Sequence, residues 1–164
     1  MNRSLFLDKL HAARREWDAV LTRIPEDRMT EPGLAGGWSV QDTIAHVTWS
    51  EREMVGVIRE RALVGSPYWR LGQDERNVAV YEENLDRPLA DVLAEARSVW
   101  AELLPGLESL TDDDLNAPSY FQGLSEAAPG VPPWQIFAGS TFKHYEEHAA
   151  DLRAWLDRSE GQRV

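Results

Sequence analysis

The chain contains four histidines, and two of them are spaced so that they could bind one metal ion. His144 and His148 lie four residues apart, and on a helix this spacing places their β-carbons about 6 Å apart on the same face. Two imidazoles at that separation can share a metal ion. The same spacing also occurs by chance on many solvated helices, so the pair alone favours an ordinary helix surface.

A third histidine, His46, lies in an apolar stretch beside Ile44 and Val47. A lone buried imidazolium would be costly, whereas a neutral imidazole with a metal ion or a hydrogen-bond partner is tolerated. A buried histidine is more often a satisfied core residue than a ligand. Because His46, His144 and His148 all fall on inward-facing or nearly inward-facing positions, a shared metal site and a plain core are equally good interpretations of the residues alone.

The segment His144-Tyr145-Glu146-Glu147-His148 resembles zinc-peptidase motifs only in part. The common motif has glutamate directly after the first histidine, where this chain has Tyr145. The inverted form, H-x-x-E-H, does match. Peptidases of that kind take their third ligand from well downstream in a much larger chain, and only 16 residues follow His148. We therefore expect this match to be a coincidence.

Apolar residues recur every three to four positions along four stretches, which predicts four long helices. We expect them over about residues 4–23, 39–63, 74–107 with a pause near Pro88, and 133–158. Ser39 and Asp42 have the spacing of a capping box, and Pro133 suits the first turn of the last helix. Residues 116–132 are rich in Pro, Gly and Ser, and so long a loop is either a simple crossover or a functional element such as a lid.

Four helices of this length around one core predict an all-α fold, a four-helix bundle. We expect the up-down-down-up type, with the long crossover loop before the last helix. At this length, residues 1–164 are expected to form one domain with one sizeable core.

The composition argues against several kinds of protein. The chain has no cysteine, so neither a disulfide framework nor a cysteine zinc site can form. The 17 Lys and Arg against 28 Asp and Glu give a net charge of −11, and such a chain should repel nucleic acid and anionic membranes. No apolar run approaches the ~20 residues of a transmembrane helix, and charges interrupt the N-terminal segment where a signal peptide would be apolar. We therefore expect a cytoplasmic protein with no nucleic-acid and no membrane partner.

Two segments resemble the DinB-like (DinB/YfiT-like) superfamily of four-helix-bundle metalloenzymes: GWSVQDTIAH at residues 37–46 and FKHYEEHAADLRAWL at residues 142–156. Members typically have a Trp-Ser motif that opens helix two, a histidine some seven residues later, and an HxxxH motif near the end of helix four. All three pieces stand here in the same order. The resemblance implies that His46, His144 and His148 are the metal ligands.

The superfamily includes bacillithiol and mycothiol S-transferases, a mycothiol-dependent maleylpyruvate isomerase and the ClbS/DfsB proteins. The last branch generally lacks the intact histidine triad, so the triad in this chain favours a metal-dependent branch. Members are often dimers, so a homodimer is one expectation from the resemblance.

Three neutral imidazoles leave at least one coordination position open, as in catalytic rather than structural metal sites. Imidazole suits both zinc and nickel, and the sequence does not choose between them. Such an ion can lower the pKa of bound water toward ~7 for hydrolysis, or it can bind a low-molecular-weight thiol as the thiolate nucleophile that a chain without cysteine lacks. By analogy with the transferase branches, we favour a bacillithiol- or mycothiol-type S-transferase that acts on a small molecule. The alternatives are a metal-dependent hydrolase and a non-enzymatic small-molecule binding or resistance protein.

Four polar side chains are candidates for positions near the metal. Asp42, one turn before His46, could accept the free imidazole N–H and fix the tautomer, and Tyr145 neighbours the ligands. Glu53, two turns after His46, and Asn77, in the third helical region, are candidates for acid–base catalysis and substrate contact. Each also has a simpler role, which is a cap for Asp42, the core for Tyr145 and a solvated helix face for the other two.

Seven tryptophans are a high number for this length. Trp49 and Trp69 could line a pocket for an apolar substrate, although core packing is their simpler role. Trp38 is expected to pack as the hydrophobic staple that precedes the Ser39 cap.

Overall fold

The fold is all-helical, as predicted, in the computed structural model, which describes residues 1–161 except for the side chains of residues 125 and 159–161. Within these residues, extended pairing is limited to two isolated bridges, Pro32 with Ser39 and Ala62 with Gln122. Among the described helices, none combines the length and the apolar character that crossing a bilayer requires. The α-helices are α1 (Arg3–Thr22), α2 (Val40–Glu60), α3 (Gln73–Asn84), α4 (Leu89–Glu108), α5 (Asp112–Asn116), α6 (Leu124–Ala127), α7 (Pro133–Ser140) and α8 (Phe142–Gly161).

Helix α2, which carries His46, begins at the predicted capping box. The Ser39 hydroxyl accepts a hydrogen bond from the Asp42 backbone N–H at 3.2 Å, and the Asp42 carboxylate accepts one from the Ser39 backbone N–H at 2.8 Å. These two bonds satisfy donors that a helix N-terminus otherwise leaves free. The helix ends at Arg61, whose φ of 52° lies in the left-handed region. It is covered by α3, α4, α7 and α8, which explains why most of its residues are buried.

The core forms between two helix pairs. Helix α1 packs along α8, and α2 packs along α4. Full burial of one large apolar side chain contributes about 1.5–3 kcal/mol, and side chains of this kind come from all four long helices. The up-down-down-up order, the single domain and the homodimer stay predictions. The largest fully buried side chains include Phe6, Leu10, Met54, Leu103, Leu107, Tyr145 and Leu152.

The last helical region is two helices rather than the single predicted one. Thr141, between α7 and α8, has φ −134° and ψ −104°, which ends the regular helical backbone. Its hydroxyl donates a hydrogen bond to the Phe137 carbonyl at 2.6 Å, so a side chain supplies part of the bonding at the break. The interruption predicted near Pro88 is present, because α3 ends at Asn84 and α4 begins at Leu89.

The crossover segment, residues 116–132, is attached to the C-terminal end of α2. Gln122 donates its backbone N–H to the Arg61 carbonyl and accepts a hydrogen bond from the Leu63 N–H, both at 2.8 Å. Phe121 and Leu124 of this segment are buried. His46 lies 14 residues before the end of α2, about 21 Å along a helix that rises 1.5 Å per residue. The segment is therefore anchored far from His46.

Candidate metal centre

Three histidines converge between α2 and α8. The Nε2 atoms of His46 and His144 are 2.9 Å apart, and one nitrogen from each of His46, His144 and His148 lies within 4.8 Å of the others. The ring centroids are 4.7 Å apart for His46 and His144, 4.7 Å for His144 and His148, and 5.3 Å for His46 and His148. The convergence that a shared metal site requires is therefore present.

The surroundings keep these imidazoles neutral. His46 is 7% exposed, and burial, reinforced by His148 and Arg76, lowers its pKa to about 4. Burial, with repulsion from His46 and His148, holds the pKa of His144 well below its usual value. Burial also lowers the pKa of His148, against the opposing effect of the Glu147 and Asp151 carboxylates. Neutral imidazole is the form that binds metal ions.

The donor set fits a divalent metal. In a tetrahedral site with metal–nitrogen bonds of about 2.0–2.1 Å, neighbouring nitrogens lie about 3.3 Å apart, so small shifts bring the three nitrogens to those distances. The Nδ1 atoms of His46 and His144 are buried and have no hydrogen-bond partner in the described residues. The facing Nε2 atoms of His46 and His144, together with one nitrogen of His148, make a donor set that suits zinc or nickel.

The two side chains predicted to support the ligands are engaged elsewhere. The carboxylate of Asp42 bonds to Ser39 in the capping box. The hydroxyl of Tyr145 donates to Glu51, and its ring stacks on Trp17 at a centroid distance of 6.2 Å. In the part of the chain that the structure describes, neither side chain hydrogen bonds to a histidine of the cluster.

Glu53 is also held away from the cluster. Its carboxylate accepts hydrogen bonds from the Ser66 backbone N–H at 2.8 Å and from the Trp69 indole N–H at 2.7 Å. Gly65 packs so closely on this carboxylate that an added Cβ would lie 2.1 Å from its oxygen. Glu53 thus anchors the segment after α2, and it does not line the cavity beside the histidines.

A cavity of about 920 Å³ opens beside the three histidines, which form part of its wall. Asn77, Trp49 and Trp69 line it, in positions that suit the predicted contacts. None of the described side chains of residues 116–132 lies in its wall, so the crossover segment does not cover the cavity in this structure.

Among the wall residues that sequence reasoning missed are Trp38, Tyr81 and Arg76. The Trp38 ring meets His46 edge-on at a centroid distance of 5.2 Å and stacks on Tyr81 at 5.8 Å with an interplanar angle of 8°. A signal for Tyr81 was available, because Asn77 and Tyr81 lie four residues apart on α3 and so share one face.

Solved structures of other proteins share this fold. An uncharacterised protein from Escherichia coli UTI89 has a TM-score of 0.79 at 14% identity, covering 97% of this chain and 95% of that one. The structure titled sibling lethal factor precursor, DfsB, has a TM-score of 0.80 at 14% identity, covering 97% of each chain. At these identities the likeness concerns the fold alone.

Another similar structure corrects the expectation about nucleic acid. The colibactin self-resistance protein ClbS, in complex with a dsDNA, has a TM-score of 0.73 at 13% identity and covers 95% of this chain and 96% of its own. Since this fold occurs in a complex with DNA, the exclusion of a nucleic-acid partner was wrong. Its basis was the net charge of −11, which sums the whole surface, whereas phosphate contacts depend on local groups.

Sequence comparison gives the relationship. Uncharacterised proteins from two strains of Mycobacterium tuberculosis are 30% identical to this chain over 57 residues, which is 35% of this chain but only 22% of each relative. The family model of the DinB superfamily matches residues 9–155. That match covers most of the sequence, including all three histidines of the cluster, and so the chain belongs to the DinB superfamily.

Proposed function

We propose that the protein is a metal-dependent enzyme in which His46, His144 and His148 bind zinc or nickel. In this proposal it transfers a low-molecular-weight thiol of the bacillithiol or mycothiol type to a small molecule. The observation that carries the proposal is the convergence of three imidazole nitrogens within 4.8 Å in a cavity wall. A divalent ion held by neutral imidazoles supplies Lewis acidity, which favours the thiolate form of a coordinating thiol.

The chain's own residues bind and orient the reactants. A volume of about 920 Å³ is within the usual range for small-molecule sites, so a thiol and a second small molecule have room side by side. The edge contact of Trp38 restricts rotation of the His46 ring, and Asn77 offers an amide to the substrate. The sequence contains no cysteine, so the nucleophilic sulfur has to come from a cofactor. Glu53 has no part in this proposal because Ser66 and Trp69 occupy its carboxylate.

Two alternatives use the same cavity. A metal-dependent hydrolase would activate water in place of the thiol. A resistance protein would bind a small molecule without turnover, and the shared fold with the self-resistance protein ClbS supports testing this function. The DNA in that complex makes duplex DNA a candidate partner to test as well.

The first experiment tests the metal centre. Protein purified without a histidine tag is analysed for metal by mass spectrometry, as the wild type and as His144→Ala. The matched control is His11→Ala, since His11 lies on α1 outside the cluster, with 41% of its side chain accessible and its Nε2 3.8 Å from the Glu108 carboxylate. We expect about one zinc or nickel per wild-type or His11→Ala chain and none in His144→Ala. Equal metal content in all three proteins would falsify the assignment.

The second experiment separates the reactions. Metal-loaded protein is incubated with a generic aromatic electrophile, with and without added thiol, and products are followed by mass spectrometry. Thiol adducts that form faster with the wild type than with His144→Ala support the transferase. Turnover that needs no thiol supports the hydrolase instead, and stoichiometric binding without turnover supports the resistance function.

A further inference from the structure

The Trp49 indole N–H and the Arg76 guanidinium are among the donors in the cavity wall that have no hydrogen-bond acceptor within the described residues. Trp49 is 3% exposed, and its indole N–H has no partner. Arg76 is half-buried on α3 and lines the same cavity. No ion pair with a carboxylate is found for Arg76 in residues 1–161, although its guanidinium can donate five N–H bonds.

Other inward-facing arginines are paired. Arg14 contacts Glu51 at 3.1 Å, and Arg87 contacts Glu95 at 2.6 Å. Partial withdrawal of a guanidinium from water is costly unless an acceptor replaces the lost water contacts. A buried indole N–H likewise usually has an acceptor. Arg76 and Trp49 therefore stand out as donors whose acceptor has to come from outside the described chain.

Trp69 connects the two donors. The Arg76 guanidinium lies 5.4 Å from the Trp69 ring centroid, a cation–π contact that holds it in place. The Trp69 ring in turn lies 5.7 Å from Trp49. The N–H of Trp69 is already donated to Glu53, so of these two neighbouring indoles only that of Trp49 lacks an acceptor within the described residues.

We propose that Arg76 and the Trp49 indole N–H form an anion subsite that receives a carboxylate or phosphate group of the small-molecule substrate. This inference rests on the proposed function, because it names the substrate class of that cavity, but the subsite itself needs no metal. An oxyanion accepts from both donors, and a planar guanidinium binds carboxylate and phosphate through two parallel bonds.

Within the described residues, none of the carboxylates in the cavity wall forms an ion pair with Arg76. Asp74, Glu82, Glu147 and Asp151 also line the cavity, and all four are exposed. Exposed charges interact weakly because solvent and salt screen them. Arg76 is less exposed than any of them, so its charge is less screened by solvent than theirs.

The test measures binding to metal-free protein, so that a carboxylate cannot bind through the metal. Calorimetric titrations with benzoate, phenyl phosphate and the neutral isostere benzamide compare the wild type with Arg76→Gln, Arg76→Lys and Trp49→Phe. Arg59→Gln is the matched control, since it removes the same charge from an exposed position, with 66% of the side chain accessible. Thermal unfolding of each variant confirms that it is folded.

We expect the wild type and Arg59→Gln to bind one of the two anions at least tenfold more tightly than benzamide. Arg76→Gln should lose this preference, Arg76→Lys should keep part of it, and Trp49→Phe should weaken anion binding several-fold. Preference for benzoate or for phenyl phosphate identifies the source of the oxyanion. The subsite is overturned if the wild type binds the anions and benzamide equally or binds neither anion. It is also overturned if Arg76→Gln keeps the preference for the anion. Failure of the metal analysis leaves this result unaffected, so the two proposals fail separately.

Discussion

Acid should destabilise the metal-free protein through the buried histidines, and His46 provides the clearest measure. Its pKa falls from 6.5 to about 4 on folding. At 1.36 kcal/mol per pKa unit this corresponds to about 3 kcal/mol. Because the folded-state pKa is depressed, the neutral ring contributes this stability above pH 6.5. The contribution is lost as the pH falls through 4.

The assay compares urea unfolding of metal-free wild type and His46→Gln at several pH values between 7 and 4. Replacing the imidazole with a side chain that does not titrate removes its pH dependence, so the variant should gain about 3 kcal/mol relative to the wild type as the pH falls. The substitution also changes the packing, but that free-energy cost is the same at every pH. It therefore does not affect how the stability difference between the two proteins changes with pH. If the two stability curves run parallel over this range, His46 is not held neutral by burial and the reasoning is refuted.

Three other outcomes are expected. Glu51→Gln should show a pH trend opposite to that of His46→Gln, because burial raises the pKa of Glu51 to about 7 against the effects of Arg14 and Tyr145. In urea unfolding, the stability of this variant relative to the wild type should therefore increase as the pH rises from 4.5 to 7. Gly65→Ala should lower the unfolding free energy by about 2 kcal/mol or more, since φ is 125° and the new Cβ would lie 2.1 Å from a Glu53 carboxylate oxygen. The control is Gly139→Ala in α7, where an added Cβ has no described neighbour within 4 Å. This control should be neutral or stabilising by up to about 1 kcal/mol. Zinc at 100 times its dissociation constant should stabilise the wild type by about 2.7 kcal/mol in thermal unfolding and leave His144→Ala unchanged.

The parts of the structure that depend on local sequence could be predicted. The Ser39–Asp42 cap needs only residues three apart, and the start of α2 is where the spacing places it. Residue spacing alone could not predict the histidine cluster, because the residue patterns fitted a plain core and a metal site equally well. The family resemblance supplied the reason to bring His46 to the pair on α8.

Distant segments determine the contacts of two side chains near the site. Glu53 lies two turns after His46, so helix spacing placed both on one face, but the Ser66 N–H and the Trp69 indole bind its carboxylate. Tyr81 lines the cavity because α3 packs beside α2, which places the Tyr81 ring against Trp38. Neither contact can be read from a periodic pattern, since each joins segments whose relative placement is a tertiary property.

Adjacent residues on α8 serve the metal centre and the core separately. Consecutive helical residues point about 100° apart, so His144 faces His46 on α2 while Tyr145 faces the core and donates to Glu51, also on α2. Two contacts at different angles around α8, both to α2, fix the rotation of one helix relative to the other. The Arg14 guanidinium of α1 binds the same carboxylate at 3.1 Å, which ties a third helix to this arrangement. The histidines can converge because the buried polar contact on the neighbouring face of α8 sets the helix orientation that aims them at a common point.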